Sequence, residues 1–258
     1  MSQMSQITLL FNEEEHKYYL KERPSLSFTS VSKLIGLVKQ PFDIEFWSKK
    51  KAEERGITQE EILQEWEDKK IQSQEKGTRY HLMREQKLLN HRSDSYPSLV
   101  CEETSQKKAI DLKTLKPGIY PELILYNLQH GIVGTADLIE IFPDGTFYCG
   151  DFKTNEKLEF NSFKKFDPIS KERRPVMMQP PLEHLEDCNG IHYTLQLSLY
   201  ACMLEQFGYK CKGLTIYHAI LNEDEELINE VEYPLNYRKK EAQTLMKWFK
   251  EKHSKQTS

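Results

Sequence analysis

Residues 119–153 constrain the fold more than any other stretch of the chain. They read IYPELILYNLQHGIVGTADLIEIFPDGTFYCGDFK and contain three runs rich in Ile, Val, Tyr, Phe and Thr. Two short turn signals separate the runs, Gln129-His130-Gly131 and Pro143-Asp144-Gly145. Runs of β-branched and aromatic residues bounded by such turns are typical of antiparallel strands. The pattern therefore predicts a three-strand antiparallel meander.

The second turn predicts the register of the last two strands. If Pro143-Asp144-Gly145 is a three-residue loop with Gly145 at positive φ, then Phe142 faces Thr146. Counting back along both strands places Asp137 opposite Asp151, and alternation places Lys153 on the same face as Asp151. Because like charges directly opposite each other are destabilising, this register predicts a divalent cation between the two carboxylates.

The first turn allows two registers. If Gln129-His130 is the loop, Glu122 faces Asp137. If His130-Gly131 is the loop, Glu122 takes a diagonal position on the same face, because the slip is by two residues. Both registers bring three carboxylates and a lysine together, and all-oxygen ligands suit Mg²⁺ or Mn²⁺ rather than zinc. The plain alternative is a set of carboxylates on a solvated strand face.

Four short motifs resemble those of the PD-(D/E)xK nuclease superfamily, in its RecB-like exonuclease branch. Gly134–Asp137 matches the G-x-x-D strand of that branch, with Ala136 where the superfamily name has Pro, and Asp151–Lys153 matches D-x-K. Outside the meander, Gly77–His81 matches G-T-x-x-H and Gln196–Tyr200 matches Q-x-x-x-Y. The order of the motifs is similar to that in phage-type exonucleases and in the mitochondrial genome-maintenance exonuclease.

The resemblance implies a role for each acidic residue of the meander. Asp137 and Asp151 are expected to be direct metal ligands, with the backbone carbonyl of Phe152 as a third. Glu122 is expected to hold a second metal or its water. Lys153 is expected to position and polarise the attacking water and to offset the carboxylate charge, as phosphodiester hydrolysis requires.

Three residues outside the meander complete the expected site. Gly77 interrupts a helical pattern and Thr78 can cap a new helix, which would place His81 in the first turn, near the positive end of the helix dipole. The family places this histidine beside the metals, and a purely structural histidine is the alternative. Gln196 and Tyr200 lie four residues apart on one helix face. The resemblance implies that Gln196 approaches the active site and that Tyr200 supports DNA or the fold.

The function implied by the resemblance is a Mg²⁺- or Mn²⁺-dependent DNA exonuclease. Such an enzyme hydrolyses phosphodiester bonds from DNA ends, preferably in single-stranded DNA, during recombination, repair or replication. DNA and a recombination or replication protein are the expected partners. One rival is a non-catalytic nucleic-acid-binding or assembly protein that kept the fold. Such a relative should have lost an acid or the lysine, and all are present here. The other rival is a structure-specific or sequence-specific endonuclease.

The expected fold is α/β, a single nuclease domain of 258 residues. The resemblance implies a restriction-endonuclease-like core, in which a central mixed sheet contains the meander and is flanked by helices. An N-terminal hairpin and helical addition is expected over 1–74, the core over 75–222 and a C-terminal helix within 223–258. Helical spacing predicts a charged helix over 58–75 that buries the stripe Ile62, Leu63, Trp66 and Ile71. A short helix is expected over 105–112 and a last, buried strand over 213–221.

Residues 155–190 are expected to form an insertion without regular structure. Its phenylalanines could stack on bases, and its basic residues could follow phosphates, so that it arches over the metals and admits a threaded single strand. A surface excursion packed on the body is the alternative. The basic residues expected to contact DNA are Lys164, Lys165, Lys171, Arg173 and Arg174.

Composition bears on partners, cofactors and location. The net charge of −4 does not indicate a polyanion partner, so nucleic-acid contacts must come from local basic patches. The five cysteines are scattered without a C-x-x-C pair, which argues against a zinc ribbon. Some RecB-like nucleases hold an iron–sulfur cluster with four cysteines, in a tight group after the nuclease motifs; this chain lacks that group, so the resemblance predicts no cluster. A polar start and the lack of a long apolar run predict no secretory signal, no membrane association and a cytoplasmic location, with a bacterial or phage source ahead of a mitochondrial one.

Overall fold

The computed structural model describes residues 9–12, 17–22, 28–90, 106–108, 110–169 and 171–254. Helices and strands in these ranges follow one another without a repeat. They are β1 (Leu9–Asn12), β2 (Lys17–Leu20), β3 (Thr29–Ser30), α1 (Val31–Gly36), α2 (Ile44–Arg55), α3 (Gln59–Asn90), β4 (Gln106–Lys108), a 3-10 turn (Leu112–Thr114), β5 (Gly118–Asn127), β6 (Ile132–Ile141), β7 (Thr146–Lys153), β8 (Lys164–Asp167), β9 (Glu172–Pro175), α4 (Asn189–Glu205), β10 (Lys210–Leu221), β11 (Leu227–Leu235) and α5 (Lys239–Ser254).

The centre of the fold is a six-stranded mixed sheet that contains the predicted meander. Strands β5, β6 and β7 are antiparallel, β7 pairs in parallel with β10, and β10 pairs antiparallel with β11. Strand β5 pairs with β6 along its length, so β3 and β7 share the opposite edge of β6. Strand β3 pairs with Ile132 and Val133 of β6, and β7 pairs with Leu138–Ile141. Asp137 lies between these two paired stretches.

The second hairpin confirms the predicted register. Gly145 has φ +76° and the Phe142 N–H donates to the Thr146 carbonyl at 2.9 Å. The ladder then runs to the pair Leu138–Gly150 and ends there, one pair short of Asp137 and Asp151. The two strands separate at the position where the sequence placed two opposing carboxylates.

The first hairpin takes the register in which Glu122 lies opposite Asp137. The pairs Pro121–Leu138 and Leu123–Ala136 flank that position. The turn itself spans 128–131, longer than either predicted loop, because the strands stop pairing at Asn127–Ile132. The register is thus the first of the two alternatives, reached with a wider turn.

Helices cover both faces of the sheet, which confirms the α/β class. The largest core cluster packs α1, α4 and α5 against one face, and Leu195, Leu199 and Met203 of α4 are fully buried there. On the other face, Tyr80 of α3 packs with Leu138, Phe152 and Ala219. The strands β2, β1 and β4 form a small separate sheet whose Leu9 and Leu20 cover Ile124 and Val133.

The predicted break at Gly77 is wrong, because α3 runs through it from Gln59 to Asn90. Thr78 does not cap a new helix; its hydroxyl donates to the Gln74 carbonyl one turn earlier, at 3.0 Å. The predicted stripe is correct only in part. Ile62 is buried and Trp66 half-buried, whereas Leu63 and Ile71 are exposed.

Three other expectations also differ from the structure. Among residues 105–112 the described part contains strand β4 and the start of the 3-10 turn in place of a short helix. Strand 213–221 is not the last, since β11 follows it before the expected C-terminal helix, which is α5. The insertion 155–190 has regular structure: β8 and β9 form a hairpin, and Met178 and Leu182 are buried in the core.

No helix among the described residues is both long enough and apolar enough to cross a lipid bilayer.

Candidate active site

The site lies where β6 and β7 separate. Beyond the last ladder pair, the Asp137 carboxylate reaches across the gap and accepts a hydrogen bond from the Phe152 N–H at 2.7 Å. A side chain therefore replaces the backbone pairing that has ended. Asp137 is buried, with 8% of its surface exposed, so this carboxylate is held in place rather than solvated on a free strand face.

Three donors from three different elements converge beside this contact. His81 from α3, Glu122 from β5 and Asp137 from β6 each offer one ligand atom, and these atoms lie within 4.8 Å of one another. The His81 Nδ1 is 3.4 Å from the Asp137 Oδ2. The ring of His81 also contacts Phe152 edge to face, with the ring centres 6.3 Å apart. We call these three residues the Asp137 half of the site.

The backbone at Glu122 is strained, with φ +49° in the left-handed region. An L-residue there costs on the order of 1–2 kcal/mol. The conformation changes which side chains face the core: Tyr120, Leu123 and Leu125 all belong to the main core cluster, although strict alternation would turn Tyr120 away from the other two. This break in the alternation places Glu122 beside Asp137, off the face that packs in the main core cluster.

The opposing strand β6 changes face at the same level. Ala136 and Ile139 both belong to the main core cluster, three residues apart, while Leu138 packs on the α3 side. Because Glu122 and Asp137 share one register position, both strands shift together and their pairing is preserved. This paired shift brings the two carboxylates towards His81.

Asp151 and Lys153 form a separate, buried group on the α4 side of the sheet. The Lys153 Nζ lies 2.5 Å from the Asp151 Oδ2. The Gln196 Nε2 donates to the Asp151 Oδ1 at 3.2 Å. The Oδ2 is therefore the ion-pair partner of the lysine, and the Oδ1 is the partner of the glutamine amide. We call Asp151, Lys153 and Gln196 the Asp151 half of the site.

The two halves influence each other electrostatically. Burial raises the pKa of Asp151 to about 6, and the charge of Asp137 adds to this shift while Lys153 opposes it. Burial by itself would lower the pKa of Lys153, but the carboxylates of Asp151 and Asp137 outweigh it and raise the pKa. The ammonium of Lys153 therefore stays charged. The repulsion predicted between the two carboxylates is present even though they form no ladder pair.

Gly134 and Tyr200, which belong to two different matching motifs, pack directly against each other. A Cβ at Gly134 would lie 2.7 Å from Cε1 of Tyr200, so only glycine lets this ring reach the strand. The Tyr200 hydroxyl accepts from the Gln196 Nε2 at 3.3 Å, and the residue is 4% exposed. Burial raises the pKa of Tyr200 well above its ordinary value, so the phenol stays protonated. With almost no free surface, Tyr200 supports the fold rather than offering a face to DNA.

His81 is not at a helix end, so the expected effect of the helix dipole on it is absent. Its segment of α3 is held against the sheet by its neighbours. The Arg84 guanidinium lies 4.4 Å from the centre of the Phe152 ring and pairs with Glu230 at 3.0 Å, and Tyr80 donates to the same carboxylate. These contacts fix the helix face from which His81 points to Asp137.

The five basic residues expected to contact DNA lie on or beside the β8–β9 hairpin and are exposed. Phe160 of the same insertion belongs to the body of the protein, because it stacks near Tyr233 and lies where a side chain on Gly190 would be. Phe163 and Phe166 are 67% and 56% exposed. The expected packing on the body therefore holds for Phe160, while DNA contact by the exposed residues of the insertion stays a prediction.

Tyr193 and Asn155 were missed by the sequence reasoning. The Lys153 Nζ lies 4.6 Å from the centre of the Tyr193 ring, and the Asn155 Nδ2 donates to the Tyr193 hydroxyl at 2.7 Å. Helical spacing contained a usable signal, since Tyr193 precedes Gln196 by three residues and so shares its face. Asn155 lies two residues after Lys153, beyond the end of β7, so strand alternation gives no signal for it.

The donor set fits a hard divalent cation. Carboxylate oxygens suit Mg²⁺ and Mn²⁺, while the single imidazole makes the set more favourable to a transition ion than oxygen ligands alone. Asp151 lies outside the group of three donors, and its role as a direct ligand stays a prediction, as does that of the Phe152 carbonyl.

Comparison with known proteins identifies no family for this chain. No protein-family model matches it, and no curated protein matches it. The similarity to RecB-like nucleases therefore stays a resemblance of four short motifs.

Proposed function

We propose that this chain is a divalent-metal-dependent deoxyribonuclease that hydrolyses phosphodiester bonds from DNA ends. One observation carries the proposal: the donor atoms of His81, Glu122 and Asp137 lie within 4.8 Å of one another, beside the ion pair of Asp151 and Lys153. The charges of both Asp137 and Asp151 act on Lys153, whose side chain is only 15% exposed. The order of the motifs, similar to that of RecB-like exonucleases, supports the choice of reaction and substrate.

The energetic cost of this arrangement also favours a functional site. Buried ion pairs are frequently no more stabilising than apolar residues of the same size. Asp151 has a pKa raised by burial, and Glu122 has strained backbone. Strained backbone and perturbed pKa values concentrate at active sites, because the rest of the fold must hold them in place. A solvated set of carboxylates would show neither feature.

His81, Glu122 and Asp137 would hold the cation, with Asp151 adding negative charge from the buried side. When bound, Mg²⁺ or Mn²⁺ supplies Lewis acidity that draws charge from the phosphate and eases ionisation of the attacking water. The chain itself orients the water and the phosphate. The charged Lys153 is a hydrogen-bond donor and a positive charge, not the base that removes the proton.

The contacts of Lys153 determine where that donor points. The Asp151 Oδ2 lies on one side of the ammonium and the Tyr193 ring on another. With two of its directions occupied, the ammonium has its remaining hydrogens for water or a phosphate oxygen. Gln196 in turn holds the Asp151 carboxylate, which limits the freedom of the lysine indirectly. Such preorganisation is the main way in which a protein lowers the barrier of phosphoryl transfer.

The test is hydrolysis of end-labelled linear DNA, single- and double-stranded, beside a covalently closed circle of the same sequence. The full chain is assayed with Mg²⁺, with Mn²⁺ and with EDTA. The proposal expects cation-dependent loss of the linear substrates and an intact circle. Cleavage of the circle, which has no ends, would mean that the protein is an endonuclease and not an exonuclease. An absence of cleavage on every substrate with both cations would reject the enzyme and favour the non-catalytic rival.

A further inference from the structure

The β8–β9 hairpin is a separate two-stranded sheet that projects from the body. Its base is fixed: the Val176 N–H donates to the Phe163 carbonyl, and the Ser162 N–H donates to the Glu186 carboxylate at 2.7 Å. Beyond that base every residue of the two strands is exposed or half-exposed. The hairpin is thus an ordered element with two faces available to a ligand.

The register assigns the side chains to those two faces. Directly opposed residues of an antiparallel pair point to the same side, and neighbours along a strand point to opposite sides. The pairs are Lys164–Pro175, Lys165–Arg174, Phe166–Arg173 and Asp167–Glu172. One side, the Phe166 face, therefore contains Lys164, Phe166, Arg173 and Pro175. The other side, the Arg174 face, contains Lys165, Asp167, Glu172 and Arg174.

The two faces differ in how their charges are balanced. The Arg174 face has two bases and two acids, and the Arg174 Nε lies 3.8 Å from the Asp167 Oδ2. The Phe166 face has two bases and no acid of the hairpin strands. An aromatic side chain that is 56% exposed lies directly opposite one of those bases. In a chain of net charge −4, this is a local positive surface with an unpacked ring at its centre.

We propose that the Phe166 face binds single-stranded DNA, with a base stacked on Phe166 and flanking phosphates on Lys164 and Arg173. The inference rests on the proposed function. An exposed ring between two cations matches a strand whose bases and phosphates alternate, and stacking tolerates any base because each has a π face. A duplex hides those faces inside its stack. The hairpin follows Lys153 in the chain through residues 154–163, and this loop is tethered to α4 because the Glu159 N–H donates to the Asn189 Oδ1 at 2.8 Å.

The charge arrangement is tested by two matched double variants. Lys164→Ser/Arg173→Ser and Lys165→Ser/Arg174→Ser each remove two positive charges from the same hairpin, from opposite faces. Binding of a fluorescent single-stranded oligonucleotide is followed by anisotropy in EDTA over a salt series. The first variant should lower the slope of log K against log salt by about 1.4, at about 0.7 for each lost phosphate contact. The second should keep the wild-type slope. Equal losses in both variants overturn the assignment of the face.

The stacking contact is tested at Phe166 itself. Phe166→Ala and Phe166→Leu should each weaken binding of the single strand by about fivefold or more, because neither side chain offers a π face. Binding of a blunt duplex should not change. A leucine variant that binds like wild type would mean an apolar contact instead of stacking. A duplex that binds as tightly as the single strand and loses affinity equally at Phe166 also overturns the inference.

The design separates this inference from the proposed function. Binding is measured without a cation, so it does not depend on hydrolysis. If wild type binds single strands through the Phe166 face but never cleaves them, the nuclease proposal fails and the hairpin assignment stands. If wild type cleaves DNA and the two double variants bind the single strand equally, the hairpin assignment fails and the nuclease proposal stands. Melting curves of all hairpin variants should match wild type, since these side chains are exposed.

Discussion

The two halves of the candidate site balance their charge in different ways. In the Asp151 half, an acid lies 2.5 Å from a lysine that stays charged. In the Asp137 half, two carboxylates and an imidazole place their donor atoms within 4.8 Å of one another. In the Asp151 half the Lys153 ammonium balances the carboxylate charge, while in the Asp137 half two carboxylates lie together without a lysine among the three donors. Under the proposed function, the Asp151 half would direct the reacting groups and the Asp137 half would receive the metal.

Removal of Lys153 should have the largest effect and would separate the two halves most clearly. Lys153→Ala is expected to lower the rate of DNA hydrolysis by about 10²–10³-fold or more, the usual cost of a lost donor to a developing charge. Mn²⁺ should still stabilise the variant, since the Asp137 half is intact. Lys157→Ala, at an exposed lysine in the following loop, is the matched control. Hydrolysis by Lys153→Ala at the wild-type rate would remove the catalytic role of the Asp151 half.

The raised pKa of Asp151 should appear as a pH dependence of stability without metal. Its folded pKa of about 6 lies above the ordinary 3.8, so its contribution is present below the ordinary value and is lost as pH rises through about 6. A shift of this size corresponds to on the order of 3 kcal/mol. Urea unfolding in EDTA from pH 4 to 7.5 should show wild type losing stability relative to Asp151→Asn. If the free energy of unfolding changes with pH in the same way for wild type and Asp151→Asn, the pKa of Asp151 is not raised in the folded protein.

Asp137→Asn tests the cation-binding half. An amide oxygen can still accept from the Phe152 N–H, and the repulsion with Asp151 disappears, so the metal-free variant should melt at or above wild type. Wild type should gain about 2.7 kcal/mol at a Mn²⁺ concentration of 100 times Kd, and the variant should gain much less. Glu140→Gln, on the same strand, is the control. A variant that melts well below wild type even without metal would indicate a structural role for Asp137.

The smallest expected effect concerns the ring that contacts Lys153. Tyr193→Leu removes a cation–π contact of about 0.5–2 kcal/mol and should slow hydrolysis by up to about 30-fold. Tyr193→Phe keeps the ring but loses the contact with Asn155, so it should retain most of the activity. The measurement is the single-turnover rate at saturating DNA. Equal rates for the leucine and phenylalanine variants would show that the ring does not position the lysine.

Turn chemistry made the second hairpin of the meander predictable. Only a residue that tolerates positive φ fits the end of a Pro143-Asp144-Gly145 loop, and that requirement predicted the register correctly as far as Leu138 and Gly150, one pair before Asp137 and Asp151. Strict alternation then failed at Glu122, where a strained residue shifts the face of the strand. The pattern of polar and apolar residues gives no sign of that strain, because alternation assumes a regular pleat.

Tertiary contacts explain why α3 is continuous through Gly77, where the sequence predicts a break between two helices. Glycine at position 77 disfavours a helix by about 1 kcal/mol, which predicts a break. Just beyond it, Arg79 pairs with Glu225, and Tyr80 and Arg84 both contact Glu230, so partners far away in the chain hold α3 continuous. The β8–β9 hairpin was missed for a related reason. Its strands read KKFD and ERRP and contain none of the apolar alternation that marks a strand.

The most direct measurement is the single-turnover rate of hydrolysis of a 5′-labelled single strand as Mn²⁺ is increased, for wild type, Asp137→Asn and Glu140→Gln. The account predicts a rate that rises with Mn²⁺ and saturates in wild type and Glu140→Gln. Asp137→Asn, folded and still able to bind the strand in EDTA, should show no such rise. Cleavage by Asp137→Asn with the wild-type dependence on Mn²⁺, or wild-type cleavage that continues in EDTA, would contradict a cation held by the Asp137 half.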